Sequence, residues 1–420
     1  MIDDDNLIDR AVWRVMPLAA LCFVAAVIDK ANIGFAKLQM AKSLGLSETA
    51  FGFGASLFFA AFIVFEVPSA LAAHRYGARI WIARIMASWG AITMLMAFGR
   101  SETEFYLLRF LLGAAEAGLY PALLFYLTLW FPQRAQTRVA AFLTLGSAIG
   151  NGIGSLISGA LLDLNGVLGL EGWQWIFLVT GALPILMTAV VLKDMADTPA
   201  KAHFLSPEDR VRLSDAVARD RPAAANESGT FAALADRRVL GWGAIYALLG
   251  VALFGTVYWT PTAIKSFGVS GTVNGLLTSA PWIVTALMLL TLPARLKTHD
   301  AVAKAMAIIG IGGAVCFAVA ALSPPPVLGY AALFFGTPCI SVLIGLFWTF
   351  PVRLFPGAQA AAVIAGINVM GNVGGFIAQN LMPAVAQAGG TAAFAMWVPA
   401  VSLLAIAVFL LVRQRASGST

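Results

Sequence analysis

Asp29, Lys30, Arg109 and Glu116 are ionisable side chains set inside long apolar runs of a 420-residue chain. A charge at the centre of a bilayer costs at least about 2.5–3.5 kcal/mol, so such residues mark ion or substrate pathways. Two acids and two bases in the first third of the chain suit a charged cargo and a proton. Nothing comparable follows: after Asp236 the remaining acid is Asp300, in a basic loop. Arg109 and Glu116 are seven residues apart, on one helix face and about 10 Å from each other along the axis. That is too far for a salt bridge within the helix, so each needs a partner on another element or a water-filled cavity. Asp29 and Lys30 are adjacent and point about 100° apart. Lys30 can serve a central cavity as a substrate anchor. Asp29, like Glu116 a candidate proton carrier, can serve a helix-packing crevice near the fourth apolar segment.

Further polar residues sit in apolar surroundings. Asn368 and Asn372 lie one helical turn apart, with Gln379 beyond them. Bare amides are costly in lipid and should face a cavity or another helix; Asn372 is a candidate hydrogen-bond partner for a substrate. Tyr120, Tyr126, Tyr258 and Trp259 are candidate cavity aromatics, against the alternative of packing or interfacial belts. Glu66, near the end of the second segment, reads as an interfacial residue paired with a basic loop side chain. Gly146, Gly150 and Gly154 repeat every four residues and permit close helix contact. Cys22, Cys316 and Cys339 have no metal-ligand spacing and read as packing residues.

These residues require membrane-spanning helices to hold them. The chain is 60% hydrophobic and 11% charged, against roughly 25% charged for a soluble domain. Apolar runs of spanning length recur at 15–35, 51–72, 78–98, 104–130, 137–162, 173–192, 240–264, 273–293, 302–322, 327–350, 358–385 and 393–412. With both termini in the cytoplasm, most basic residues fall on cytoplasmic ends and loops, as the positive-inside rule demands. The net charge of +6 is thus a topology signal, and no basic cluster has the interleaved aromatics of a nucleic-acid surface. Met1–Arg14 is acidic and precedes a run long enough to span, so no cleavable leader is expected.

Residues 193–239 are polar and divide the chain into 1–192, a linker, and 240–420. Within the linker, Ser206-Pro207-Glu208-Asp209 has the form of a helix start, predicting a short amphipathic helix to about Arg219. Ala223–Thr230 reads as flexible linker. The halves echo each other: Phe131-Pro132 and Gly150-Asn151 correspond to Phe355-Pro356 and Gly371-Asn372. Paired halves imply a pseudo-two-fold axis along the membrane normal, with a binding site between them at mid-depth. There is no G-x-x-x-x-G-K-[ST] loop, so ATP hydrolysis is not expected. No catalytic, metal-binding or cofactor constellation appears, and the chain does not read as an enzyme.

The six-plus-six plan resembles the major facilitator superfamily. The loop Ala70–Arg79 is similar to that family's G-x-x-x-D-R-x-G-R-R signature, with Ala70 for the first Gly and His74 for the Asp. The resemblance makes Arg75, Gly77 and Arg79 cytoplasmic-gate residues, and with His74 the loop lacks the acid of the family's charge clasp. Strings around Asp29–Ala36, Arg109–Pro121, Glu171–Phe177, Tyr258–Pro261 and Ile367–Phe376 are similar to the anion:cation symporter branch, which includes galactonate, tartrate, phthalate and hydroxyphenylacetate permeases. Position 30 is usually Arg there; Lys30 keeps the charge without the planar fork. The resemblance implies an all-α membrane protein of 12 transmembrane helices in two six-helix bundles. It implies proton-coupled import of a small organic anion, with Asp29 and Glu116 handling protons. Lys30, Arg109, Tyr120, Trp259, Asn368 and Asn372 would form the cargo path. The antiporter signature ends in Gly-Pro where this chain has Gly150-Asn151, which favours symport. The chain is expected to work as a monomer in a bacterial inner membrane.

Overall fold

The computed structural model describes residues 2–219, 236–296, 298–322, 325–350 and 358–418. The helices are α1 (Ile2–Ser43), α2 (Glu48–Tyr76), α3 (Ala78–Met96), α4 (Glu102–Glu116), α5 (Leu119–Trp130), α6 (Gln133–Leu162), α7 (Gly172–Asp194), α8 (Pro207–Arg219), α9 (Arg237–Lys265), α10 (Gly271–Arg295), α11 (His299–Ala321), α12 (Pro326–Phe347), α13 (Ala358–Gly389) and α14 (Trp397–Gly418). No strand occurs among the described residues. Ten helices there are long and apolar enough to cross a membrane, with Glu102–Trp130 counted as one. The other two expected spans are helices as well, α3 and α13.

Local chemistry sets the ends. Ser47, Ser101, Ser270 and Thr298 each cap the following helix by accepting a backbone N–H, satisfying donors that a helix N-terminus leaves open. Ser206 accepts the Asp209 N–H at 3.1 Å, so the short helix begins where the sequence places its cap and ends at Arg219. The expected Ala223–Thr230 linker and the Phe355-Pro356 half of the repeat lie outside the described residues.

The fourth apolar run is not one continuous helix. α4 ends at Glu116, and Gly118 takes a left-handed φ of 86° before α5 begins. A Cβ at Gly118 would lie 2.3 Å from the Ser69 hydroxyl oxygen, so both the backbone conformation and the space call for glycine.

One apolar core gathers residues from α1 to α8, with Tyr258 of α9 reaching into it. A second core draws on α9 to α14. Gly146, Gly150 and Gly154 lie against Phe23, Val27 and Ile28 of α1, the close contact their spacing predicts. Between the first and last groups of helices, Gly159 packs on Gly271 and Gly275, and Gly52 on Gln379 and Pro383.

Candidate functional site

The charged residues separate into two clusters beside each other in α1, α3, α4 and α7. Lys30 Nζ meets Glu116 Oε1 at 2.5 Å. The lysine side chain is 22% exposed and the glutamate 1%, so the cation is partly accessible while the acid is enclosed. The other Glu116 oxygen, Oε2, has no hydrogen-bond partner. The Lys30 ammonium also lies 5.0 Å from the centroid of the Phe62 ring.

Asp29 turns the other way, as adjacency on a helix requires. Its Oδ1 accepts from Thr93 of α3 at 2.9 Å and from Asn32 at 3.2 Å, and Asn32 also donates to Thr180 of α7 at 2.9 Å. The crevice that holds it is therefore built by α3 and α7, and its direct partners are neutral. Asn32, one turn from Asp29, was the available sequence signal for this arrangement.

Arg109 is almost fully buried. Its Nη2 donates to the Ala55 carbonyl at 3.4 Å, its guanidinium lies 4.9 Å from the Phe58 ring centroid, and its Nε has no partner. Arg109 and Glu116 do not pair, in keeping with their spacing.

Glu66 departs from its expected interfacial role. It is buried and accepts from Asn368 at 3.1 Å and from Asn372 at 3.4 Å. Its partners come from α13 and no basic loop residue is needed. The two amides thus meet an acid of α2, and the helical turn between them sets both on the face that reaches it. Gln379, further along α13, donates to the Phe254 carbonyl at 3.3 Å.

The aromatics divide. Tyr120 is half-buried against Phe23, centroids 5.4 Å apart. Trp259 lies along α9 against Lys37, whose ammonium sits 3.5 Å from its ring centroid; its indole donates to the Ala392 carbonyl at 2.7 Å. Lys37 also pairs with Glu48 at 2.6 Å. Since Lys37 is two turns along α1 from Lys30, Trp259 stands at a different depth from the Lys30–Glu116 pair. Nothing in the isolated sequence couples Lys37 to Trp259.

Gly77 has φ 91° at the α2–α3 turn. Arg79 approaches Asp197, with its backbone N–H at 3.4 Å and its Nε at 4.0 Å, while Arg75 lies over Tyr76. Asp197, beyond α7, supplies an acid next to a loop that lacks the family's own. His74, at the substituted position, packs on Phe125 with centroids 3.7 Å apart. At the opposite end of the bundle, Asp163 accepts from the backbone N–H groups of Gly271 (2.9 Å) and Thr272 (2.7 Å) and from the Thr272 hydroxyl (2.7 Å). Burial alone would raise the Asp163 carboxyl, but these hydrogen bonds and nearby Lys265 hold it below its usual range.

A family model described as Major Facilitator Superfamily matches residues 19–379. The chain belongs to the major facilitator superfamily. A protein called a putative tartrate transporter, from Agrobacterium vitis, is 37% identical over 98% of this chain and 95% of its own length. A quinolone resistance transporter from Acinetobacter baumannii is 34% identical over 89% of this chain and 87% of its own. Among solved structures, a partially occluded, inward-open conformation of the xylose transporter of E. coli has a TM-score of 0.73 at 13% identity, covering 96% of this chain and 97% of that one. The chain is a multi-pass membrane transporter and not an enzyme.

Proposed function

We propose that this transporter is a proton-coupled symporter that imports a small organic anion by alternating access. The carboxylate cargo would be a sugar acid, hydroxy acid or aromatic acid. The observation that carries this reading is the Lys30–Glu116 pair: a part-exposed cation held by an enclosed acid, with one carboxylate oxygen unpartnered. An arriving carboxylate competes for Lys30. Glu116, losing its cation in a low-dielectric site, is neutralised by taking a proton. Anion and proton then favour each other's binding, as linkage requires. Asp29, held by neutral donors, is a second protonatable group on the same path. Arg109 adds positive potential behind Glu116, and Tyr120 lines the approach.

Residues 1–192 and 240–420 form the two moving bundles, joined by 193–239. Glu66 with Asn368 and Asn372, Lys37 with Trp259, and Asp163 with Thr272 are the contacts between them that each cycle must break or remake. Arg75, Gly77 and Arg79 form the gate turn, braced by Asp197. The protein works as a monomer in a bacterial inner membrane with both termini in the cytoplasm, as the charge bias suggests. The tartrate relative supports an organic-anion cargo. The quinolone relative supports a second reading, proton-driven export of a drug.

Purified protein in vesicles carrying an internal pH dye separates these. Adding tartrate, malate or benzoate outside should acidify the lumen. Transport of the anion without acidification would leave a facilitative carrier or exchanger. Quinolone-dependent proton movement with no response to the acids would favour export.

A further inference from the structure

Away from the charged residues, four helices converge on a small pocket lined by hydroxyl groups. Asn151 and Ser155 come from α6, Thr256 and Thr260 from α9, Thr278 from α10 and Thr337 from α12. The first helix belongs to the first six spans and the other three to the last six. Within α6 and within α9 the residues are four apart, so each pair shares a face. The free volume is about 10 Å³, room for one oxygen atom of a hydroxyl or water. The lining carries neither acid nor base.

The polar atoms are unevenly satisfied. The hydroxyl of Ser155 donates to the Asn151 carbonyl at 2.7 Å, that of Thr337 to the Leu333 carbonyl at 2.8 Å, and that of Thr278 to the Asn274 side-chain oxygen at 3.1 Å. Each keeps lone pairs free to accept. The Thr256 and Thr260 hydroxyls have no partner, though these residues are only 2% and 5% exposed. Burying a hydroxyl without a partner is unfavourable, so this spot is suited to an added O–H group that both donates and accepts. The depth also fits. Gly150 and Gly154, next to Asn151 and Ser155 on α6, rest on Val27 and Ile28 of α1, just before Asp29-Lys30.

We propose that this pocket is the subsite for a cargo hydroxyl, making the carried anion a hydroxy acid rather than a plain or benzenoid carboxylate. This rests on the organic-anion reading above. The carboxylate engages Lys30 on α1, and a hydroxyl further along the carbon chain enters between α6 and α9. Recognition of the cargo then depends on side chains from both bundles at once.

The test is a graded series on one carbon skeleton: succinate, malate and tartrate, with no, one and two hydroxyls. Binding to the purified full-length protein is measured by calorimetry, with benzoate alongside. For the unmodified protein, affinity should rise about five- to tenfold from succinate to malate, the usual worth of one hydrogen bond, with little further gain for tartrate, because the pocket admits a single oxygen. The double variant Thr256→Val, Thr260→Val should flatten the series while leaving succinate affinity unchanged. The variant Thr256→Ser, Thr260→Ser, which keeps the hydroxyls, should retain the slope and guards against loss of folding. Equal affinity for succinate and tartrate in the unmodified protein overturns the subsite, as does a slope that survives in the valine variant. Binding of benzoate with none of the three C4 acids also overturns it and leaves the organic-anion reading standing. Binding of none of the four overturns both.

Discussion

The helices before the linker and those after it meet the same problem, polar chemistry inside an apolar bundle, with different groups. The first set buries full charges at Asp29, Lys37, Glu66, Arg109 and Glu116, with Lys30 half-buried against Glu116. The second set contributes threonines, amides and tyrosine hydroxyls, and its one acid, Asp300, pairs with Lys304 at 2.6 Å outside the cluster. Charges are long-range and respond to protons. Hydroxyls and amides are short-range and read shape. On the reading proposed above, energy coupling and cargo discrimination fall to different residues. A substitution among the charges should alter how strongly transport is driven, and one among the hydroxyls should alter what is carried.

The largest expected effect is at the ion pair. Glu116→Gln should abolish accumulation driven by a proton gradient while leaving counterflow exchange measurable. If Glu116→Gln still concentrates anion normally, the division between the halves collapses. Removing the cation tests the same pair through stability. Lys30→Ala strands an enclosed carboxylate and should cost about 3–5 kcal/mol, read as a lowered melting temperature; combining it with Glu116→Gln should restore much of that loss.

Next comes Glu66, where the charged half touches the amide half. Glu66→Ala leaves one buried and one half-buried amide short of an acceptor and should cost about 1.5–3 kcal/mol, seen in melting and in faster exchange between outward and inward states. Glu66→Gln should cost less, because one Asn can still find an oxygen. Equal, negligible effects from both would show that this seam is closed by packing alone.

The smallest effect is expected at Asp163. Asp163→Asn weakens a largely exposed cap and should change stability by no more than about 1 kcal/mol. Because hydrogen bonding holds the Asp163 carboxyl below its usual range, its contribution is present above the ordinary carboxylate value and is lost as pH falls through the lowered one. Melting compared near pH 7 and pH 3 should show the gap between the unmodified protein and the Asp163→Asn variant shrinking in acid.

The membrane-spanning helices were legible because bilayer chemistry writes them in composition, as apolar runs of spanning length. Spacing also placed Arg109 and Glu116 on one face yet out of reach of each other, and adjacency sent Asp29 and Lys30 to different neighbours. Partnership across helices was not legible. Glu66 looked interfacial because only its distance from a helix end was visible, whereas its amide partners are about 300 residues away in the chain. The hydroxyl pocket was hidden for the same reason: a single threonine in an apolar helix looks like any other, and only convergence of four helices sets it apart.

The break after Glu116 has a consequence for the pair it adjoins. Because α4 stops there and α5 starts at Leu119, the carbonyl end of one helix adjoins the N–H end of the next across Gly118, beside Glu116. A bend at Gly118 would therefore turn two oppositely charged helix ends about Glu116 and change the potential that the Lys30–Glu116 pair experiences.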